Sequence, residues 1–280
     1  MEQTLILIHC TDAVGLVSSI AHVLAGRDLN IITMREYVDQ STKRFFARIV
    51  CTGKTMPADD VRVALEAVLP KGAQVSINPT QQKRIAILVT KEPHCLGDTL
   101  VRHFFHTLGA EVCCVVGNYD YLREFTERFH VPFHFVSHEG KTKDDFEREL
   151  HRIIYSYHPD YVVLAKFMRI LSPTFVAHYR GRIINIHHSF LPAFIGANPY
   201  QQAYTRGVKL IGATAHFVTD DLDEGPIIAQ DIKPVNHTYT AEDMRKAGKE
   251  IEKAVLSKAL ALVVEDRVFV TGNKTVVFEH

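Results

Sequence analysis

Apolar residues recur along this chain with two periods, and the switches between them mark its elements. Thr4–Cys10 is mostly apolar and of strand length, and Thr11-Asp12-Ala13-Val14-Gly15 breaks it. Leu16, Ile20, Val23 and Leu24 then share one helical face. Strands follow at Leu29–Met34 and Phe45–Cys51, separated by a polar turn at Asp39–Lys43. Pro57 opens a second helix with Val61, Leu65 and Val68 on one side, and Gln74–Ile77 is a fourth strand. The order βαββαβ is the split-βαβ, ferredoxin-like pattern. Asn78-Pro79-Thr80-Gln81-Gln82-Lys83 is polar, contains proline and lies between apolar strands. It predicts a linker and puts a first domain at residues 1–80.

From Arg84 the pattern changes. Arg84–Thr90 is a nearly continuous apolar run, as in a strand covered on both faces. Further strands are predicted at Glu111–Gly117, Phe133–Val136, Tyr161–Ala165, Ile183–Ile186 and Gly212–Val218. Helices are predicted at Asp98–Leu108, Tyr121–Phe129, Asp144–Tyr157 and Pro173–His178. This alternation means a mostly parallel, doubly wound sheet over residues 84–280. The fold class is therefore α/β throughout.

Composition narrows the function. The 280 residues, 46% hydrophobic and 23% charged, make a globular chain of about two domains. Lysine plus arginine balance aspartate plus glutamate at 32 each, so no general nucleic-acid or acidic-membrane surface is expected. Cys10, Cys51, Cys95, Cys113 and Cys114 are odd in number and form no CxxC pair, which argues against disulfides and a zinc site. A cytoplasmic setting is expected, without secretory leader or membrane span. No GxGxxG follows the first strand of the second domain and no GxxxxGK[ST] occurs, so neither a dinucleotide nor a nucleoside triphosphate is expected. There is no HExxH, and no metal site is expected.

Chemistry concentrates between Ile184 and Gln230. Asn185 and His187 are two apart on a predicted strand, so their side chains face one side. Asp223 sits in a turn with Gly225-Pro226, after a strand carrying His216. An amide, an imidazole and a carboxylate thus gather where strands end, which is where open α/β sheets bind ligands. Taken alone, an Asn, a His and an Asp at this spacing are more often caps and turn residues. The loop Phe167-Met168-Arg169-Ile170-Leu171 leaves another strand end. It either walls a flat heterocycle or seals the sheet edge.

Two stretches are similar to the formyltransferase family, which includes glycinamide ribonucleotide transformylase and methionyl-tRNA formyltransferase. They are Asn185-Ile186-His187-His188-Ser189-Phe190-Leu191-Pro192 and His216–Ile228. The resemblance covers residues 84–280 and implies 10-formyltetrahydrofolate as substrate, with no separate cofactor. It implies Asn185, His187 and Asp223 as catalytic residues. Phe167, Met168, Arg169, Ile170 and Leu171, with Val218, Thr219, Asp220 and Asp221, are implied to hold the folate. Residues 1–80 resemble an ACT domain through Asp12-Ala13-Val14-Gly15 and Asn30-Ile31. That resemblance implies an amino-acid effector at Asp12, Gly15, Asn30 and Ile31, and a homo-oligomer. Asp12 is placed to cap the first helix and Gly15 to let a ligand approach backbone amides, although an Asp and a Gly in a turn are more often just cap and turn.

Three features favour the hydrolytic branch of the family, in which water takes the formyl group and tetrahydrofolate and formate leave. An ACT-like segment precedes the catalytic part. His188 stands where transformylases have proline, and Phe194–Tyr200 and Gly207–His216 fit that branch. In Thr90–Gly97, Glu92 and Pro93 replace a glycine-rich phosphate loop; a carboxylate repels phosphate and proline lacks an amide donor. Transfer to a small amine or sugar nucleotide, and a non-catalytic folate or amino-acid sensor, are the alternatives.

Overall fold

The structure is a computed structural model and describes residues 3–54, 56–79, 82–192 and 199–279. Thr80 and Gln81 of the expected linker, and most of the stretch Phe194–Tyr200, lie outside the described residues. The chain divides into two compact units. One comprises Met1–Gln81, Asp266–Phe269 and Val276–His280; the other comprises Gln82–Glu265 and Val270–Thr275. The sequence pattern predicts a second domain running to residue 280, so the grouping of the C-terminal segments differs. An aromatic cluster accounts for it: Phe269 lies 5.7 Å from Phe46 and 5.8 Å from Phe278, ring centre to ring centre.

The first unit has the element order β1 (Gln3–Thr11), α1 (Leu16–Ala25), β2 (Leu29–Asp39), β3 (Arg44–Gly53), α2 (Ala58–Val68) and β4 (Gln74–Ile77). Its sheet runs β2-β3-β1-β4 with antiparallel pairs, the ferredoxin-like order. Strand alternation buries Ile6, Ile8 and Cys10 beside Phe45, Ala47 and Ile49, and Leu16, Ile20 and Leu65 join that core. Two details depart from the sequence pattern. Val68 is exposed and Leu69 closes the α2 face instead, because the i, i+4, i+8 positions from Val61 face the sheet. Asp12 does not cap α1: the residue before the helix is Gly15, with φ +88°, and no side chain caps it. Only glycine takes that conformation without strain.

The second unit carries a seven-stranded sheet of order β11-β10-β9-β8-β5-β6-β7. Its strands are β5 (Lys83–Val89), β6 (Ala110–Gly117), β7 (Phe133–Phe135), β8 (Tyr161–Leu164), β9 (Ile183–His187), β10 (Leu210–Phe217) and β11 (Ile227–Pro234). β9, β8, β5, β6 and β7 pair in parallel, and β10 is antiparallel to both neighbours. The order reverses at β5, where β6 and β7 lie to one side and β8 and β9 to the other. The loops after β5 and β8 therefore open at a topological switch point.

The helices are α3 (His94–Phe104), α4 (Arg123–Glu127), α5 (Lys143–Ser156), α6 (Pro173–His178), α7 (Pro199–Arg206) and α8 (Ala241–Val264). α3 begins four residues before the predicted Asp98, because Pro93 needs no amide partner ahead of a helix and Gly97 is tolerated inside it. The predicted Tyr121–Phe129 helix is a short 3₁₀ turn followed by α4. α8 spans 24 residues and opens with a capping box between Thr240 and Asp243. No described helix is long and apolar enough to cross a membrane. All five cysteines are buried and free.

Candidate active site

The register of β9 against β10 assembles the polar centre. His216 lies opposite Asn185, and Thr214 lies opposite His187. Residues i and i+2 of a strand share a face, and so do directly paired residues. The amide of Asn185 and the rings of His187 and His216 are thus set side by side. Asn185 Nδ2 is 3.2 Å from His216 Nε2, and His216 Nδ1 donates to the Phe217 carbonyl at 2.9 Å. That second bond fixes the ring plane, so that Nε2 faces both the Asn185 amide and the turn that follows β10.

Asp223 completes the group from the turn after β10. Its Oδ1 is 3.3 Å from His187 Nδ1 and 3.7 Å from His216 Nε2. Its backbone has φ +58°, an uncommon conformation for a residue with a side chain. Burial works against the charged form of this carboxyl, but hydrogen bonds from His187 and His216 outweigh it and hold the group well below the usual carboxylate range. The carboxylate accepts only, so His187 turns Nδ1–H toward it. His187 Nε2 is buried and has no hydrogen-bond partner among the described residues, so this ring atom is open to a ligand.

Thr214 braces the loop after His187. Its hydroxyl donates to Ser189 O at 2.9 Å and accepts from Leu191 N at 3.1 Å and Gln230 Nε2 at 2.9 Å.

The residues expected to hold folate divide in two. Met168 and Ile170 are 58% and 63% exposed, a bare apolar ledge, and Thr90 Oγ1 pins Met168 N at 2.9 Å. Phe167 is buried in the core and stacks on Phe146, with Arg169 over the same Phe146 ring. Leu171 and Val218 pack against that core. Phe167, Leu171 and Val218 thus carry packing through their side chains. Asp220 lies 3.7 Å from Arg180, and Thr219 donates to the Asp221 carbonyl. In the first unit, Asn30 is exposed on β2 and Ile31 is partly buried.

A second polar cluster, beside the first, escaped the sequence pattern. Glu252 of α8 is 1% exposed, and its carboxylate accepts from His94 Nε2 at 2.7 Å, Lys166 Nζ at 3.1 Å and Tyr200 Oη at 2.7 Å. Burial alone would raise this carboxyl, but these donors and the Lys166 charge pull it down to about 2. Lys166 also donates to His188 Nδ1 at 3.1 Å, and the His188 ring lies nearly parallel to His187, centres 4.9 Å apart. A cavity of about 680 Å³ opens here, lined by Glu92, Lys166, His188, Tyr200, Lys249 and Glu252 among others. Glu92, on the predicted phosphate-repelling loop, pairs with Lys249 at 2.6 Å. His94, Cys95 and Glu252 bring ligand atoms within 4.8 Å of one another. The Lys166 ammonium on the same carboxylate opposes a cation there. The sequence signal for Glu252 was a carboxylate within the apolar stripe Gly248, Ile251, Val255 and Leu256 of α8.

The match to known proteins follows this geometry. The model of the formyl transferase family matches residues 83–260. A formyltetrahydrofolate deformylase from Escherichia coli (strain K12) is 53% identical over 272 residues, covering 96% of this chain and 95% of that one. The crystal structure of a formyltetrahydrofolate deformylase from Pseudomonas syringae pv. tomato superposes with a TM-score of 0.93 at 38% identity, over 99% of this chain and 94% of that one. Glycinamide ribonucleotide transformylase 1 from Symbiobacterium toebii matches at TM-score 0.68 and 30% identity, over 95% of its own length but 71% of this chain. The likeness to the deformylases extends over both units, and the chain belongs to the formyltetrahydrofolate deformylase family.

Proposed function

We propose that Asn185, His187 and Asp223 carry the hydrolysis of 10-formyltetrahydrofolate to tetrahydrofolate and formate, with water as acceptor. The observation that carries the assignment is the convergence of Asn185, His187, His216 and Asp223 in one bonded group, with His187 Nε2 left unpartnered. Water attacks the formyl carbon and makes a tetrahedral centre with a negative oxygen. Protonated His187, through its Nε2–H, and an N–H of Asn185 donate to that oxygen. Both histidines address Oδ1 of Asp223, which leaves Oδ2 to orient the water. One water proton passes through the Asp223–His187 pair to N10 as the C–N bond breaks. The other ionises from the nascent formic acid, so formate leaves.

The folate ring takes the ledge at Met168 and Ile170, with backbone groups of Phe167, Arg169, Leu171 and Val218–Asp221 at its edge. Pro93 at the start of α3 lacks the amide donor that a phosphate cradle would use there, which favours water over a phosphorylated amine. Beyond the reaction, the first unit offers an amino-acid site at Asp12, Gly15, Asn30 and Ile31, in a chain that works as a homo-oligomer. Five buried free thiols suit the reducing cytoplasm.

The test is formate release from 10-formyltetrahydrofolate without added amine. Asn185→Ala and Asp223→Asn are each expected to lower it by about 10²–10³ while folate still binds. Near-normal turnover in either variant, or formate only when an amine is supplied, would overturn the assignment.

A further inference from the structure

The buried cluster around Glu252 does more than fill space between α8 and the sheet. A carboxylate at 1% exposure is costly unless it is satisfied, and this one takes three donors from three different segments. One of them, Lys166, reaches it from a residue at φ +63°, a conformation unfavourable for any side chain but held here. Lys166 has only N–H groups to give, so its bond to His188 makes Nδ1 the acceptor and places the His188 proton on Nε2. Burial, and then the Lys166 charge, lowers the basicity of His188 to about 4, which keeps that tautomer neutral near pH 7. Its ring lies flat against His187 and borders the cavity, so the Nε2–H is available beside the reacting centre.

We propose that Glu252 and Lys166 are positioning residues that lock His188, and that the His188 Nε2–H holds the attacking water against the formyl carbon. The inference rests on the hydrolytic reading and assigns its water. The water accepts from Nε2–H with one lone pair, attacks with the other, and gives one proton to the Asp223–His187 pair; no further reactant is needed. The polar cavity supplies that water.

Hydroxylamine separates this role from a structural one. It attacks the formyl carbon from free solution, yielding formohydroxamate and tetrahydrofolate, without a positioned water. In His188→Ala and Lys166→Met, kcat for formate release is expected to fall about 10- to 100-fold, with KM for the folate nearly unchanged. Formohydroxamate formation should stay near the level of the unaltered protein. Lys166→Arg, which still offers donors to His188 and Glu252, should recover most of the lost kcat, and Glu252→Gln should fall between. The proposal is overturned if KM rises with kcat intact, or if hydroxylamine transfer falls in step with hydrolysis. The Lys166→Met and Lys166→Arg pair decides the matter should His188→Ala fail to fold. Failure of the hydrolytic reading itself is distinct: the unaltered protein would then release no formate without an amine.

Discussion

At the scale of single residues, the site depends on one carboxylate shared by two imidazoles. Asp223 has a folded pKa below its ordinary value near 3.8, because the hydrogen bonds from His187 and His216 outweigh the cost of burial. A carboxyl shifted this way stabilises the fold above its unfolded pKa, and the contribution drains away as pH falls toward the folded pKa. Asp223→Asn tolerates the same positive φ but loses the charge. Its stability deficit relative to the unaltered protein should therefore be largest at pH 7 and narrower at pH 3. Denaturant unfolding at the two pH values measures it, and a gap independent of pH would mean that the histidines do not hold the carboxylate in the folded state. Asn185 and His187 were legible because a strand's period of two is rigid, and their spacing alone put them on one face. Lys166 and Glu252 were not. Their bond joins residues 86 positions apart, and nothing in a single sequence marks such a pairing except a glutamate on the wrong side of a helix.

At the scale of elements, the centre is built from the β9–β10 register and from the turn that follows β10. The alternation of strand and helix from Lys83 to His187 was readable from apolar runs, since each buried strand is a short uninterrupted block. The start of α3 was not, because Pro93 and Gly97 read as loop residues although proline suits a helix start. α8 also escaped the pattern: its charged residues dilute the apolar stripe. The turn holding Asp223 depends on Gly225. A Cβ there would lie 1.8 Å from the Phe217 carbonyl oxygen and 2.9 Å from its carbon, both backbone atoms that cannot swing aside. Gly225→Ala should displace the turn, draw Asp223 from His187 and cost about 1–3 kcal/mol of stability. Formate release should fall by at least about tenfold although no polar group is removed, as expected when a catalytic group is misplaced by about 1 Å. An alanine variant with unchanged turnover would show that the Asp223 contact does not depend on this close approach.

At the scale of the whole molecule, the two units separate chemistry from the site expected for an effector. Every residue of the catalytic group and of the Glu252 cluster comes from Gln82–Glu265. Asp12, Gly15, Asn30 and Ile31 all belong to the first unit, which has its own core around Ile6, Ile8, Ile20 and Leu65. An amino acid bound there would alter formate release only by changing the second unit's behaviour through the intact chain. Gly15 is the place to test this, since its φ of +88° admits only glycine without strain while a Cβ there would meet nothing within 4 Å. Gly15→Val should therefore disturb the β1–α1 turn by backbone strain alone, at a cost on the order of 1–2 kcal/mol. Basal formate release by the full chain should be unchanged, because no catalytic group lies in the first unit. Titrating the unaltered full chain with individual amino acids should find at least one that changes formate release or the melting temperature, and Gly15→Val should blunt that response. If no amino acid has either effect, the effector site is wrong; if the valine variant loses basal activity, catalysis depends on the first unit in a way that the residue membership of the two clusters does not contain.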